Sequence, residues 1–595
     1  MLSDQLKKLS SQGELTLSPA AVRHLPVIRQ AIAELGIDRV LDRQLPADPR
    51  MKATDTDCVV LMILNVLCGR VALYRMADWL SGTDPAVVVG DGCCADWFTD
   101  TRLAETLDRL YDAGTDDVLS AVVLDYLNSD AGPSAYAVHQ DTTTVKLHGA
   151  YVGPSEDDAP VPRHGHSKDH RPDLLQLVYG LSLQGAVGVP VCMSVLDGNT
   201  SDQAANRLHI DRLAGLLPAK DEVTLVADGK LCDGKTLGRV RDAAFHFVTL
   251  VPRSYGIRDD LVERVREVGE DLPELGRAHQ RRKSDPVRHY RGRSFTEPFE
   301  LVDPESGVAE LHDLRFLVVE SPALAAREQG ALKARLAKER KRIEDRMKRL
   351  SKQTFSCQDD AQGAAERAVG APSYHAAEVR IHDEVVTVKR PGRGRPRKGE
   401  SQPTKTIWRV SLTSLEVDQE CVDRAGFHGR HFLLVTDHLD TDAWPDERVL
   451  STYREQHMVE GHTGFRWLKG PAAVAPAFLK TPSRIAALGL VFILALMVRN
   501  YLEWAIRAAL AKTEQTLPNM NGQATQRPSA ENAFYYFRDA SLIIATVGGH
   551  VANRELHGLR PEAEQVLELL GWSPDIFTKA RLRKRKTRSA GKAGM

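Results

Sequence analysis

The stretch AYAVHQDTTTVKL, residues 135–147, alternates apolar and polar positions and is rich in β-branched side chains. Both features are typical of a β-strand that buries one face. Two stretches that follow, LLQLVYGLSLQG at 174–185 and VGVPVCMSVLDG at 187–198, predict an antiparallel hairpin that turns near Gly185–Gly188. Together they predict three adjacent strands, and the apolar start of the first strand runs into Asp141.

The chain after this meander alternates helix and strand. Asp202–Leu217 predicts a helix, and EVTLVADGKL, residues 222–231, predicts a buried strand that ends at Asp228. Asp233–Ala244 predicts another helix, and FHFVTLVP at 245–252 another strand. Three strands, a helix, a strand, a helix and a strand is the order of the ribonuclease-H-like fold. Both aspartates would lie on neighbouring strands, where a fixed backbone can hold ligands accurately.

A third carboxylate comes from LSTYREQHMVEGHTGFRWLK, residues 450–469. We interpret Asp446–Lys469 as one helix, because Val449, Tyr453, Gln456 and Glu460 are spaced four, three and four apart and would share one stripe. This stripe ends at Glu460, and a basic and aromatic run follows it. Three carboxylates from three distant segments therefore become candidates for one site.

Such a set suits phosphoryl transfer with two metal ions. Mg²⁺ prefers hard oxygen ligands, and two ions about 4 Å apart stabilise the attacking and the leaving oxygen of a phosphodiester. We expect Asp141, Asp228 and Glu460 to bind two Mg²⁺ ions, and Mn²⁺ to be able to replace them. A single aspartate after a strand is more often a turn or cap residue. The ordered set of three is what favours the metal site.

The residues around Glu460 are candidate DNA contacts. Arg466 and Lys469 would bind phosphates, and Trp467 could stack on a base displaced from the duplex. Tyr453 and Gln456 would face the scissile phosphate from the same stripe. The alternative is that these side chains only pack and solvate a helix.

HGHSKDHRPD, residues 164–173, holds three histidines and two aspartates. The spacing fits no common structural zinc pattern. We favour a loop that contacts the DNA backbone near the site through Lys168, His170 and Arg171. Zinc binding and a simple polar lead-in to the hairpin remain alternatives.

GRGRPRKG, residues 392–399, resembles an AT-hook, in which a Gly-Arg-Pro core lies in a narrow minor groove. Arg393, Arg395 and Arg397 are then candidate DNA contacts. General phosphate contact and a solvated linker are the alternatives. The basic tail at Lys579–Lys592 is less specific, and a solvated tail explains it as well as a DNA contact does.

The composition is that of a globular protein of several domains. A chain of 595 residues is too long for one core. Its net charge of −1 neither indicates nor excludes nucleic acid, because the distribution of charge matters more than the sum. The eight cysteines contain no CxxC pair, which indicates a reducing compartment without structural zinc.

No segment of the sequence predicts a membrane partner. The N-terminal MLSDQLKKLS lacks the apolar core of a signal peptide. Ile485–Val498 is strongly apolar but shorter than the roughly twenty residues that a span requires, so it predicts a buried core helix. We therefore expect a cytoplasmic protein.

Changes in composition and periodicity divide the chain into five parts. We predict a helical N-terminal domain for end binding or dimerisation, a first core part, an α+β insertion domain with a long charged helix and a basic linker, a second core part, and a C-terminal linker with a short helical segment and a basic tail. Their respective ranges are 1–130, 131–252, 253–428, 429–512 and 513–595. The fold class is thus an α/β ribonuclease-H-like core with a mixed sheet, interrupted by the insertion and preceded by helices.

Several segments also resemble the DDE transposases of bacterial insertion sequences, in the insertion-sequence-four superfamily and most closely its 1634-type branch. The resemblance implies a ribonuclease-H-like core interrupted before the catalytic glutamate, with the acids at Asp141, Asp228 and Glu460. The segments that carry it are LPVIRQAIAELGI, VHQDTTTV, GHSKDHRPDLLQLVYGLSL, GVPVCMSVLDGNTSD, VADGKL, YREQHMVEGHTGFRWLKGP and FLKTPSRIAALGLVFILALMV.

The superfamily's Tyr-Arg-Glu-Lys signature falls on Tyr453, Gln456, Glu460 and a downstream lysine, with two departures. The arginine position holds Gln456, so any phosphate binding by that arginine is reduced or shared here. The lysine is expected seven residues after the glutamate, where Trp467 stands. Lys469 follows nine residues after the glutamate, with GHTG lengthening the turn.

These observations predict a Mg²⁺-dependent DNA transposase that cuts at the ends of its own element and joins them to target DNA. Its partners would be the terminal inverted repeats and the target DNA, with a homodimer on paired ends and association with the nucleoid when DNA is bound. Two alternatives remain. One is a DNA hydrolase without strand transfer, and the other is a catalytically inactive DNA-binding regulator of transposition.

Overall fold

The computed structural model describes residues 14–45, 48, 50–129, 136–147, 159–166, 171–185, 187–217, 223–269, 272–278, 286–389, 401–461, 463–469 and 481–582. The chain forms two compact units. The first comprises Met1–Thr249, Phe299–His312 and Thr452–Met595, and the second comprises Leu250–Pro298 and Asp313–Ser451. Each unit is described by itself.

The N-terminal part of the first unit is mostly helical, but it begins with a strand. The strand is β1 (Leu15–Ala20), and the helices are α1 (Leu25–Glu34), α2 (Ile37–Gln44), α3 (Asp55–Leu64), α4 (Met76–Ser81), α5 (Pro85–Val88), α6 (Asp100–Asp112) and α7 (Thr115–Leu127). A π-helical turn, Asn65–Gly69, continues α3, and 3₁₀ turns occupy Leu73–Arg75 and Ala95–Trp97. The apolar spacing of Leu103–Leu127 is helix-like throughout and would fit one helix. The stretch forms two helices, because Gly114 adopts φ of 79° between them.

The predicted order of three strands, helix, strand, helix and strand is confirmed at the level of elements. They are β2 (Tyr136–Leu147), β3 (Leu175–Gln184), β4 (Pro190–Leu196), α8 (Asp202–Leu216), β5 (Val223–Ala227), α9 (Gly234–Asp242) and β6 (His246–Leu250). The strands pair in the order β4–β3–β2–β5–β6, antiparallel from β4 to β2 and parallel from β2 to β6. The fold is therefore mixed α/β with a mixed sheet.

The second unit contains long paired strands and a long helix. Its elements, with the strand ends that run into residues 299–312, are α10 (Gly256–Val268), β7 (Glu274–Arg277), β8 (His289–Val302), β9 (Ala309–Glu320), α11 (Pro322–Leu350), α12 (Gln358–Val369), β10 (His375–Thr387), β11 (Thr404–Val417), α13 (Gln419–Arg430) and β12 (His431–Thr436). Four strands pair in the order β12–β9–β8–β7, and β10 pairs with β11. Ile343 and Met347 of α11 pack with α12 and β11 in one buried cluster. The start of the predicted insertion domain contains α10, β7 and the first part of β8.

The remaining elements bring the C-terminal region back to the N-terminus. They are α14 (Asp446–Arg454), α15 (His457–Glu460), α16 (Phe465–Leu468), α17 (Pro482–Thr513), β13 (Leu517–Pro518), β14 (Ala524–Thr525), α18 (Ala530–Tyr536), β15 (Ser541–Val547), β16 (His550–His557) and α19 (Pro561–Leu570), with a 3₁₀ turn at Pro574–Phe577. β1 pairs with β15, and β15 with β16. The segment expected to be a linker and a short helix thus also contains paired strands.

α17 is a long and largely apolar helix. With 32 residues it is long and apolar enough to cross a membrane, but 94% of its most apolar window is buried inside the protein. Asp55–Gly69 and Leu73–Ser81 pass the same length and composition test only when taken together across a bend of 92°. The burial of α17 is that of a core helix, which the sequence predicts for Ile485–Val498.

The continuous helix predicted for Asp446–Lys469 is wrong. The chain forms α14, a turn at Glu455–Gln456, the single turn of α15, a loop through Gly464, and α16. Gly464 has φ of −139°, and a Cβ atom there would lie 2.0 Å from the Val459 carbonyl oxygen. The spacing of apolar and polar residues cannot reveal that the backbone of Gly464 comes so close to the backbone of Val459.

Candidate active site

The register of the sheet brings the two aspartates together. β2 and β5 are parallel, with His139 opposite Val226. The paired segment ends there, and Asp141 and Asp228 each follow it by two residues on strands that lie about 4.8 Å apart. Asp228 directly follows the last residue of β5. Asp141 is half-buried within β2, whereas Asp228 is exposed.

Local hydrogen bonds fix the turn that carries Asp228. Its carboxylate Oδ1 accepts a hydrogen bond from the Lys230 backbone N–H at 2.9 Å. Its carbonyl oxygen accepts one from the Thr249 hydroxyl at 2.8 Å. The short turn after β5 is therefore held by its own backbone and by β6, as expected for an aspartate in an Asx-type turn.

Glu460 reaches the same place from a different kind of element. It is the last residue of α15, a single turn that packs against β2 and β3. At the start of this turn, the side-chain Nε2 of Gln456 donates a 2.8 Å hydrogen bond to the carbonyl oxygen of Gln140. Gln140 directly precedes Asp141. Gln456 thus ties the segment of the glutamate to the strand of the first aspartate.

The three carboxylates line one open cleft of about 590 Å³. Arg466 and Lys469 line it too, and the rest of its wall comes from Thr142, Thr143 and Phe465. Glu460 and Arg466 are exposed. Acidic and basic groups in one solvent-open cleft can bind metal cations and a phosphodiester side by side.

Tyr453 belongs to the same electrostatic environment. Burial raises its pKa, and the negative charges of Asp228 and Glu460 raise it further, to about 12. The phenol is therefore protonated at neutral pH. A neutral hydrogen-bond donor can lie beside two carboxylates without adding to their repulsion.

The donor set fits Mg²⁺. All three groups are carboxylates, the hard oxygen ligands that Mg²⁺ prefers, and at least two of them are open to solvent, which this ion needs to retain water.

The sheet also makes polar contacts with α8 that the sequence analysis missed. Thr142 donates a 2.5 Å hydrogen bond to Asp202, at the start of α8. The ring of His209, also on α8, lies 2.8 Å from the hydroxyls of both Ser182 and Ser194. Burial lowers the pKa of His209 to about 3, so the ring is neutral. One histidine in a helix of mixed polarity gives no signal in the sequence that its ring bridges two serines.

Two of the expected DNA contacts are placed differently. Gln456 is 7% exposed and bonded to Gln140, so it supports the site and does not face the cleft. Trp467 is 8% exposed and packs in the interior, so it is not placed to stack on a base. The broken helix is the reason, because α16 turns this side chain inward and leaves Arg466 outside.

The remaining expected contacts lie away from the cleft lining or outside the described residues. Arg171 is exposed, and its guanidinium makes a two-pronged ion pair with Asp173 at 2.8 and 2.7 Å. The residues that lie outside the described part of the chain are Lys168, His170, Arg393, Arg395 and Arg397.

The structure so far defines a mixed α/β protein with a cleft of three carboxylates. Residues 17–124, which include most of β1, helices α1 to α6 and most of α7, match the family described as "Domain of unknown function (DUF4277)". This is a domain found in transposase-like proteins. No protein of curated function matches the sequence.

Proposed function

We propose that the chain is a DDE transposase of the bacterial insertion-sequence type, with a ribonuclease-H-like catalytic core. The observation that carries the proposal is the cleft that Asp141, Asp228 and Glu460 line together with Arg466 and Lys469. The order of strands and helices around the aspartates supports the ribonuclease-H-like assignment. The match of residues 17–124 to a domain found in transposase-like proteins supports the wider class.

The reaction would be hydrolysis at an element end, followed by attack of the freed DNA 3′-hydroxyl on target DNA. Two Mg²⁺ ions, replaceable by Mn²⁺, would supply charge stabilisation at the attacking and leaving oxygens. Asp141, Asp228 and Glu460 would hold these ions. Arg466 and Lys469 would bind phosphates next to the scissile bond. The protonated Tyr453 hydroxyl would donate to a phosphate oxygen.

The same proposal names the partners. The DNA would carry the terminal inverted repeats of the chain's own element and, in the second step, a target site. Joining two ends in one event requires two clefts, so we propose a homodimer on paired ends. A protein that acts on bacterial DNA would work in the cytoplasm at the nucleoid.

The test is Mg²⁺-dependent cleavage of a linear DNA that carries the element end. We expect Asp141→Asn, Asp228→Asn and Glu460→Gln each to lower the cleavage rate by roughly 1,000-fold, because each removes a metal ligand worth several kcal/mol to the transition state. Binding of the end, measured by gel shift, should remain. Asp345→Asn, an exposed carboxylate on α11, is the matched control and should cut normally.

The products distinguish the proposal from its alternatives. Joined DNA products support the transposase, while cleaved ends that never join identify a DNA hydrolase. End binding by the wild type without any cleavage identifies a regulator. Near-normal cleavage by any one of the three variants would remove that residue from the metal site.

A further inference from the structure

The apolar helix α17 contains two buried polar residues in succession, Arg499 and Asn500, which are 2% and 1% exposed. The amide nitrogen of Asn500 donates two hydrogen bonds to main-chain carbonyls. One reaches Gly188 at 2.7 Å and the other reaches Thr463 at 2.8 Å. Buried amides of this kind are placed for their hydrogen bonds, because an unpaired one is costly.

Each of these two carbonyls belongs to a turn, one directly after Glu460 and the other between β3 and β4. Thr463 comes three residues after Glu460, and its hydroxyl donates to the Met458 carbonyl at 2.7 Å, which closes the loop around the glutamate. Gly188 lies in the turn between β3 and β4, with φ of 71°. Asn500 therefore connects the loop that follows Glu460 to the hairpin turn of the sheet.

The orientation of the amide is itself fixed from the C-terminal segment. The Asn500 side-chain oxygen accepts a 2.9 Å hydrogen bond from Arg499. The Arg499 guanidinium in turn donates to both carboxylate oxygens of Glu531, at 2.9 and 3.0 Å. With both amide hydrogens and the oxygen engaged, only one orientation of Asn500 satisfies every partner.

We propose that Asn500 is a positioning residue for Glu460, and that Arg499 and Glu531 set its amide. This inference rests on the proposed function for the role of Glu460. It makes α18, which follows the segment interpreted from sequence as a linker, part of the apparatus that holds the third carboxylate. Gln456 fixes the start of the α15 turn and Asn500 fixes its end.

Asn500→Asp tests the proposal with almost no change of shape. The substitution removes both donors and places a carboxylate oxygen against the Gly188 and Thr463 carbonyls. Hydrogen exchange of the full-length protein should become roughly tenfold faster in residues 457–469, because the loop opens locally more often. The Mn²⁺ concentration for half-maximal binding, measured by calorimetry without DNA, should rise roughly tenfold as well.

Asn65→Asp is the matched control. Asn65 is also buried, and its amide donates to and accepts from the Val71 backbone at 2.8 and 2.9 Å. Asn65→Asp should lower the free energy of unfolding by a comparable amount, while hydrogen exchange in residues 457–469 and Mn²⁺ binding remain unchanged. Equal behaviour of the two variants in both measurements would overturn the proposal.

If Asn500→Asp does not fold, Glu531→Gln tests the same proposal. Its side chain is half-exposed, and the change only weakens the ion pair to Arg499. We expect a smaller acceleration of exchange in the same residues, and unchanged exchange there would contradict the proposal. Because exchange needs no catalysis, a wild type that does not cleave DNA would count against the proposed function alone.

Discussion

The aspartates and the glutamate of the cleft are held by different kinds of structure. Asp141 and Asp228 each lie two residues beyond the paired segment of β2 and β5, and Asp141 also pairs with Leu181 of β3. Glu460 stands on a single helical turn between two loops, and side chains, Gln456 and Asn500, fix that turn. The aspartates thus belong to the sheet itself, whereas the turn that carries Glu460 is held in place by side-chain hydrogen bonds.

This difference in support predicts how each region responds to substitution. A change that disturbs the sheet must disturb the fold, because a strand cannot shift without breaking its ladders. A change in the α15 turn can open a short segment at a free energy well below that of global unfolding. Stability and catalysis should therefore be coupled for changes in the sheet that supports the aspartates, and separable for changes in the loops that support Glu460.

Gly464→Ala should have the largest effect on catalysis among changes outside the cleft. The new Cβ would lie 2.0 Å from the Val459 carbonyl oxygen, so the loop after Glu460 must move. A displacement of about 1 Å at a reacting group can cost roughly 100-fold in rate. We expect that loss in cleavage with a small change in the urea midpoint. A variant that cuts normally, or one that is globally unfolded, would contradict the prediction that catalysis and stability are separable around Glu460.

Gly180→Ala tests the sheet. Gly180 lies opposite Thr142 on β3, and a Cβ there would come within 2.5 Å of the buried His209 ring and of the Ser194 hydroxyl. Overpacking of this kind costs about 1–3 kcal/mol of unfolding free energy. Gly215→Ala on α8 is the control, because a Cβ at Gly215 meets no atom within 4 Å. Urea denaturation should separate the two variants, and equal stability would show that the sheet tolerates the change.

The same contrast explains what the sequence could and could not predict. Alternation and strand ends are local signals, so β2, β5 and their aspartates followed from short stretches. Glu460 followed from its place on a stripe, but the continuous helix was wrong because close backbone contact at Gly464 leaves no periodic trace. Asn500 gave no signal at all, since its two partners lie 37 and 312 residues away along the chain.

Long-range pairing also explains the C-terminal segment. SLIIATV, residues 541–547, is a short β-like run in a polar surrounding, and its partner β1 lies at the other end of the chain. Its pairing with β16 across Gly548–Gly549 is a local hairpin that the sequence analysis missed, whereas its pairing with β1 leaves no signal in a short stretch. The same holds for one of the two carboxylates that pair with the buried Arg499, because Glu503 lies four residues further along α17 whereas Glu531 lies 32 residues away.

Tyr453→Phe should have the smallest of these effects, and it probes the point where the two regions meet. Burial, together with the charges of Asp228 on the sheet side and Glu460 on the helix side, raises the pKa of this phenol to about 12. If the hydroxyl donates one hydrogen bond to the substrate, its removal should lower cleavage by roughly tenfold, which is the worth of such a bond.

The pH dependence supplies the control for that experiment. A raised pKa favours the protonated form in the folded protein, so the hydroxyl stays neutral throughout the range from pH 6 to pH 10. The rate profiles of wild type and Tyr453→Phe should then be parallel over this range. Above pH 10, the ordinary pKa of tyrosine, the unfolded chain loses the proton first, so the wild type should lose more stability than the variant. A break in the wild-type profile below pH 10 that the variant lacks would mean that the phenol ionises there, and that Asp228 and Glu460 do not both act on it.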